Sequence, residues 1–296
     1  MNRKDLYHSF HEVDDDILER SESVTQRKRR PVWLKLGTLA ACLCLMVIVA
    51  IPVLNSMYVQ DSKDPILEIA TLEYDGRFYE AVDIPKVLEK YGLPSKITAD
   101  MAGDHLAYLK SNGGVCYEYT PFETNIELYQ YAPAVCDGVY VLRDDNNWYA
   151  ALFCNFCQYD SNTKHEFTEL YHVYDVRSAD DIASITEMDW NNDREVGAAV
   201  TDHQEIKEFY DMTISLQSYG NDDFQKIMFD GIPEEEQPKA HNAFADDYRS
   251  IRIKTINGLS FYIGFHPSFD WIWGTGTMSY YQIDEQMHAW IDRNLD

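Results

Sequence analysis

Hydrophobic and polar positions follow three different rhythms along the chain. Near its start, Leu6, Phe10, Val13 and Ile17 recur at helical spacing, while Glu12, Asp14, Asp15, Asp16 and Glu19 fall on the opposite face. This predicts a short amphipathic helix. From Leu36 to Leu54 the rhythm vanishes, and 19 consecutive residues carry no charge. At about 1.5 Å rise per residue, such a helix spans roughly 30 Å, the hydrocarbon thickness of a bilayer. Beyond Ile66, period-two alternation takes over, interrupted by turn-forming dipeptides.

The alternating segments predict a series of hairpins. Ile66 to Tyr74 and Arg77 to Val82 flank Asp75-Gly76, which supplies the positive φ angles of a tight turn. His105 to Leu109 and Val115 to Tyr119 flank Ser111 to Gly114, and Gly138 to Leu142 and Trp148 to Phe156 flank Asp144 to Asn147. The run ELYHVYDV from Glu169 to Val176 reads as another strand, and Ile251 to Thr255 and Leu259 to Phe265 flank Asn257-Gly258. Helices are expected over Pro85 to Lys90, capped by Asp83, over His203 to Leu216 behind Asp202 and Glu205, over Asp223 to Met228, and over Asp284 to Asn294. A last strand falls near Met278 to Ile283. The expected fold class is α+β: one transmembrane helix, then an extracellular, mostly antiparallel sheet domain with a few helices. The expected segments are a tail over 1–32, a membrane helix over 33–58, a β-rich subdomain over 66–178 and an α+β subdomain over 179–296.

Charge sets the direction of the membrane segment. Arg27, Lys28, Arg29, Arg30 and Lys35 precede the apolar run, and the first charges after it are Asp61, Lys63 and Asp64. The basic flank belongs in the cytoplasm. The expected localisation is therefore the cell membrane, single-pass, with the N-terminus inside and the C-terminal region outside. Trp33 and Tyr58 bracket the run at the depth amphipathic aromatics prefer. A cleaved signal peptide has a shorter apolar core than this. Leu39-Ala40-Ala41-Cys42 spells a lipoprotein cleavage box, but the apolar run follows Cys42 where it should precede it. Residues 1–58 hold 8 basic and 7 acidic side chains, leaving 17 basic and 43 acidic for the other 238. So acidic an outer region excludes general nucleic-acid binding, which relies on Lys and Arg displacing counterions.

The tail helix carries acids on its polar face, where a membrane-surface helix would carry Lys and Arg. Leu6, Phe10, Val13 and Ile17 are therefore expected to enter the groove of a cytoplasmic protein with a basic surface. The succession of a short acidic helix (DLYHSFHEVDDDILER), a basic cluster (RKRRPVWLK) and a small-residue membrane run (LGTLAACLCL) resembles single-pass proteins of Gram-positive anaerobes, some similar to membrane-bound anti-sigma factors. The likeness covers about 55 of the 296 residues. It implies a tail that holds a sigma factor and an outer domain that senses. The chain departs from the zinc-binding anti-sigma pattern, because His8 and His11 are followed by no cysteine in the tail.

Candidate chemistry in the outer region is sparse, and no catalytic residue, cofactor or metal site is assigned. Cys116, Cys136, Cys154 and Cys157 are an even number that an oxidising exterior would permit to form disulfides, in any of three connectivities. Cys154 and Cys157 form a CxxC in a strand-like run, which points their sulfurs to opposite faces. Asp189, Asn191 and Asp193 open like a calcium loop, but Arg194 and Val200 occupy the positions that need Gly and Glu. His165 and His172 with Glu166 and Glu169 fit a surface loop. Trp271, Trp273, Tyr280 and Tyr281 form an aromatic cluster that could serve as a platform for an extracellular protein or glycan. The expectation is a protein that binds rather than catalyses, either a transmembrane signalling regulator or a surface adhesion or carbohydrate-binding module.

Overall fold

In the computed structural model, the residues described are 71–112, 115–119, 126–157, 162–189 and 194–295, with backbone alone over 111–112 and 115–119. The chain divides into two units, Met1–Ile66 and Leu67–Asp296, and the second contains all of these. The expected tail helix with Leu6, Phe10, Val13 and Ile17, the apolar run Leu36 to Leu54, and Asn191 and Asp193 lie outside the described residues. Among the described residues, no helix is long and apolar enough to cross a membrane.

The second unit is α+β. Strands β1 (Thr71–Tyr74), β2 (Arg77–Val82), β3 (Ala102–Asn112), β4 (Val115–Tyr119), β5 (Ile126–Tyr131), β6 (Val139–Asp144) and β7 (Asn147–Phe156) close into a barrel in the order β1-β2-β7-β6-β5-β3-β4. Its neighbours are antiparallel except at the closure, where β1 runs parallel to β4. The β1–β2 turn is as expected, with Asp75 and Gly76 both at positive φ. Leu72, Tyr79, Leu109, Leu128, Leu142 and Ala151 fill the interior, and Leu88, Leu93 and Ile97 cover Val82, Val139, Val141, Ala150 and Leu152 on the outside. Strands β6 and β7 are thus buried on both faces, which is why VYVL and YAALF are continuous apolar runs rather than alternating ones.

Strands β8 (Ile182–Asp189), β9 (Arg194–Val200), β10 (Ser218–Tyr219), β11 (Arg249–Thr255), β12 (Ser260–His266), β13 (Trp271–Trp273) and β14 (Tyr280–Gln282) form an antiparallel sheet in the order β10-β14-β13-β12-β11-β8-β9. Ile251, Ile253, Phe261, Ile263, Phe265, Ile272 and Tyr281 face a core shared with the barrel interior. Helices α2 (Phe167–Val173), α3 (His203–Ser215) and α6 (Glu285–Asn294) contribute Phe167, Tyr171, Ile206, Phe209, Met287 and Trp290 to that core. The remaining helices are α1 (Pro85–Lys90), packed on the barrel, and α4 (Asn221–Phe229) and α5 (Gln237–Asp246), which roof the other face of β12 to β14.

Several local expectations are corrected. ELYHVYDV is not a strand but most of α2 and its C-terminal turn. Glu166 and Glu169 form a reciprocal capping box there, and Phe167, Leu170, Tyr171 and Tyr174 are buried at helical spacing. The N-cap of α1 is Ile84 rather than Asp83. The apolar positions Ile206, Phe209, Tyr210 and Ile214 predict the buried face of α3, but that face is Ile206, Phe209 and Thr213, and Ile214 is exposed. Helix α5 and strands β5, β8, β9 and β10 were not anticipated; α5 buries none of its residues and so carries no apolar stripe to read.

Barrel and sheet meet at Tyr174, just past α2 and 3% exposed. Its ring stacks on Phe261 of β12 at 4.4 Å and 12° and meets Phe153 of β7 edge-on at 6.4 Å. Gly138, before β6, lets the ring approach, since a Cβ there would lie 2.5 Å from it. Backbone bonds from Ser260 to Tyr91 and from Phe156 to Gly276, each 3.0 Å, and one from the Tyr262 hydroxyl to Lys90 O at 3.0 Å, join the layers on either side. Gly138→Ala is expected to destabilise the folded unit by about 1–3 kcal/mol through overpacking. Tyr174→Ala should cost about 3–5 kcal/mol, as other large aromatic truncations do. Denaturant unfolding of the detergent-solubilised chain, followed by tryptophan emission, checks both.

Candidate functional site

The outer wall of the barrel carries a lateral row of side chains that strand register places opposite one another: Tyr108 on β3, Glu127 on β5, Arg143 on β6 and Trp148 on β7. Their strand neighbours Leu109, Leu128, Leu142 and Tyr149 turn into the barrel, so period-two alternation sends the row outward. The Arg143 guanidinium bridges to Glu127 at 3.3 Å, donates to Asp145 O at 2.9 Å and lies 5.8 Å from the Trp148 ring centroid, within cation–π range. Tyr129 donates its hydroxyl to Glu127 and packs against Trp148 at 5.9 Å. His105 closes the patch, 4.4 Å from Tyr108 and 5.2 Å from Tyr129. Burial, with the bond to Glu127, raises the Tyr129 phenol above its ordinary pKa. His105 is exposed and the other members are half-buried. Rings and a fixed ion pair suit a ligand that offers both apolar faces and hydroxyl groups.

The predicted platform is real in part but covered. Gly264, Trp273 and Tyr280 are paired across β12, β13 and β14, as are His266 and Trp271, so Trp271, Trp273 and Tyr280 share one face. Tyr281 points the opposite way, is fully buried, and donates its hydroxyl to His165 O at 2.8 Å. Over the shared face lie α4 and α5: Phe224 stacks on Tyr280 at 3.6 Å, and Trp271, 1% exposed, points its indole N–H at the Met228 sulfur. The expectation of one four-ring platform is therefore corrected. Consecutive residues on a strand cannot share a face, and the remaining rings carry a helical roof. The terminal helix packs elsewhere, with Trp290 against Phe209 of α3 at 4.8 Å.

Comparison of the chain with protein-family models, curated proteins and solved structures returns no match. Function is therefore argued from the residues alone.

Cys136, Cys154 and Cys157 are free thiols, so none of the disulfides their number permits forms among them. The Cys116 side chain lies outside those described. Cys154 lines a cavity of about 30 Å³ between barrel and sheet, with Tyr91, Tyr174, Tyr262 and Thr275. Such a space holds a water or two and no ligand. Burial, and then the nearby Glu80 carboxylate, push the Cys154 thiol well above its ordinary range, and burial also raises Glu80. Thiols held protonated are poor nucleophiles. His165 stacks on Phe156 at 4.4 Å and places Nδ1 3.0 Å from Glu169, which leaves it serving a helix start. Among the described residues, no group of three or more His, Cys, Asp or Glu side chains could hold a metal ion.

The outward row was missed because β5 was not recognised, and the outer positions Glu127 and Tyr129 of the β5 sequence IELYQY were its available signal. For the thiols, burial followed by Glu73 raises Cys157 to about 11. Its alkylation by iodoacetamide at pH 7 should be roughly 300-fold slower than that of an ordinary thiol of pKa about 8.5. Because the pKa is raised, the rate should climb about tenfold per pH unit toward pH 10, measurable by mass spectrometry of the labelled peptide.

Proposed function

We propose that this chain is a single-pass membrane protein that binds or senses through its C-terminal domain outside the cell and passes that state to a cytoplasmic partner through its tail. The observation that carries the reading is the order of segments: five basic residues, an uncharged run of 19, and then a folded acidic unit that starts at Leu67. The tail's acidic face and its apolar positions Leu6, Phe10, Val13 and Ile17 supply the partner-binding helix, and a basic protein such as a sigma factor suits it. Membrane-impermeant labelling of intact cells should reach a tag placed after Asp296 and miss one placed before Met1, and the reverse pattern would overturn the topology. Phe10→Ala with Ile17→Ala should abolish tail-dependent output without changing that labelling.

The outward row favours a second reading, a carbohydrate-binding or adhesion module. Aromatic rings flanked by a fixed Arg143–Glu127 pair present stacking surface and hydrogen-bonding groups side by side. In that case Trp148→Ala should weaken binding to cell-wall polysaccharide by about 2 kcal/mol, roughly 30-fold, the scale of a single aromatic anchor. Isothermal titration with the soluble polysaccharide reads this directly, and the tail substitutions should leave it unchanged.

A further inference from the structure

Helix α5 is attached to the rest of the domain almost wholly through rings. It buries none of its residues. Its Phe244 stacks on His266 of β12 at 3.8 Å and 16°, and its His241 stacks on Phe229 of α4 at 3.9 Å and 30°. Phe244 also meets Phe224 of α4 and Phe269 at 5.2 and 5.3 Å. Beneath this roof lies the aromatic face of Trp271, Trp273 and Tyr280, of which Trp271 and Tyr280 belong to a small cluster separate from the main core. One polar contact fixes the helix to the sheet near its C-terminal end. His266 Nδ1 lies 2.9 Å from the Phe244 carbonyl oxygen, and because a carbonyl can only accept, the ring donates from Nδ1.

His266 is 3% exposed and has few groups able to stabilise a positive charge. From the end of α5, Asp247 faces it, but that carboxylate is already held by the Ser268 amide at 2.9 Å and its hydroxyl at 2.6 Å. Tyr248, leading into β11, stands 5.5 Å away. Next in β11, Arg249 pairs with Glu187 of β8 at 3.5 Å, and β13 offers Trp271 opposite His266. On α5 itself the other titratable ring is His241, whose pKa burial also lowers.

We propose that α4 and α5 form a proton-sensitive lid over the aromatic face of Trp271, Trp273 and Tyr280, with His266 as its latch. The inference does not depend on the membrane topology or on the tail. Burial lowers the seated His266 to about 4, outweighing Asp247 and the bond to Phe244, whereas a released ring in water returns to the ordinary value of 6.5. The folded value is depressed, so the latch is fully closed above about pH 6.5 and loses strength as pH falls from there toward 4. At pH 5 the opening equilibrium should be about 20-fold larger than at neutral pH. Most surface carboxylates are still ionised there, so the window precedes general acid unfolding.

Hydrogen exchange of the full chain in detergent micelles at pH 7 and pH 5, corrected for intrinsic exchange, tests the lid. Amides of 237–246 should exchange about 20-fold faster at pH 5, while those of 139–156 in the barrel hold their protection. His266→Phe keeps a ring for the stack and cannot take a proton, so its response should shrink to the small part that His241 carries, whereas His241→Phe should retain most of it. Equal protection of 237–246 at both pH values, equal acceleration in the barrel, or an unchanged response in His266→Phe would each overturn the proposal. Should that variant fail to fold, titration of the His266 ring by NMR in the unmodified chain decides: a midpoint well below 6.5 supports the latch, and one at 6.5 removes it.

Discussion

Everything in the folded unit depends on a single ring being admitted between two layers. A barrel that closes on itself fills its interior and needs no partner, whereas an open sheet must cover both faces. Tyr174 joins them by lying flat on Phe261 of the sheet while its edge reaches Phe153 of the barrel. That position exists only because Gly138 carries no side chain. The barrel interior, α2, α3, α6 and one sheet face then share one continuous core. The phenol of Tyr174 is held protonated far above its ordinary range, chiefly by burial, so no physiological pH change reaches the joint.

With the joint fixed, backbone edges matter less as interaction sites than side-chain faces. Closure removes edges from the barrel altogether. In the sheet, the β10 edge is two residues long, and the β9 edge is broken where its register with β8 shifts between Ile185 and Glu187. Gly197, at φ +70, sits in that bulge and bends the strand out of a regular ladder. Short and bulged edges discourage strand addition, so a partner of this domain has to engage side chains. The outward row of His105, Tyr108, Tyr129, Arg143 and Trp148 offers them without rearrangement, and the roofed aromatic face offers them only after a helix moves.

How much of this could be read in advance follows from how local each signal is. Asp75-Gly76 and Asn257-Gly258 announce hairpins because the turn chemistry is contained in the dipeptide, and Asp202 and Asp284 announce α3 and α6 because a cap is satisfied within three residues. ELYHVYDV misled because its apolar residues fit period two and period 3.6 about equally well. The choice was made by the Glu166–Glu169 box and by packing from Phe261 and Tyr210, which lie far away in sequence. Trp271 and Trp273, two residues apart, share a strand face by alternation alone. Only tertiary structure could reveal its roof, because α5 reads as polar chain and touches the face through Phe244 and His241 rather than through an apolar stripe. The outward row needed four strands in register before its members became neighbours.

The contrast between Tyr174 and His266 follows from how strongly each element is held. A helix of ten residues with no buried side chain is marginal in isolation, and its attachment rests on a few ring contacts, one hydrogen bond to His266 and the Asp247–Ser268 pair at its end. Local opening of such an element lies at the low end of a protein's free-energy scale, so an effect of one or two kcal/mol moves its population appreciably. The same effect spent on the junction would disappear into the cooperative stability of the core. A proton switch in this fold is therefore most effective on the α4–α5 roof, and the three rings of the aromatic cluster that face that roof lie outside the main core.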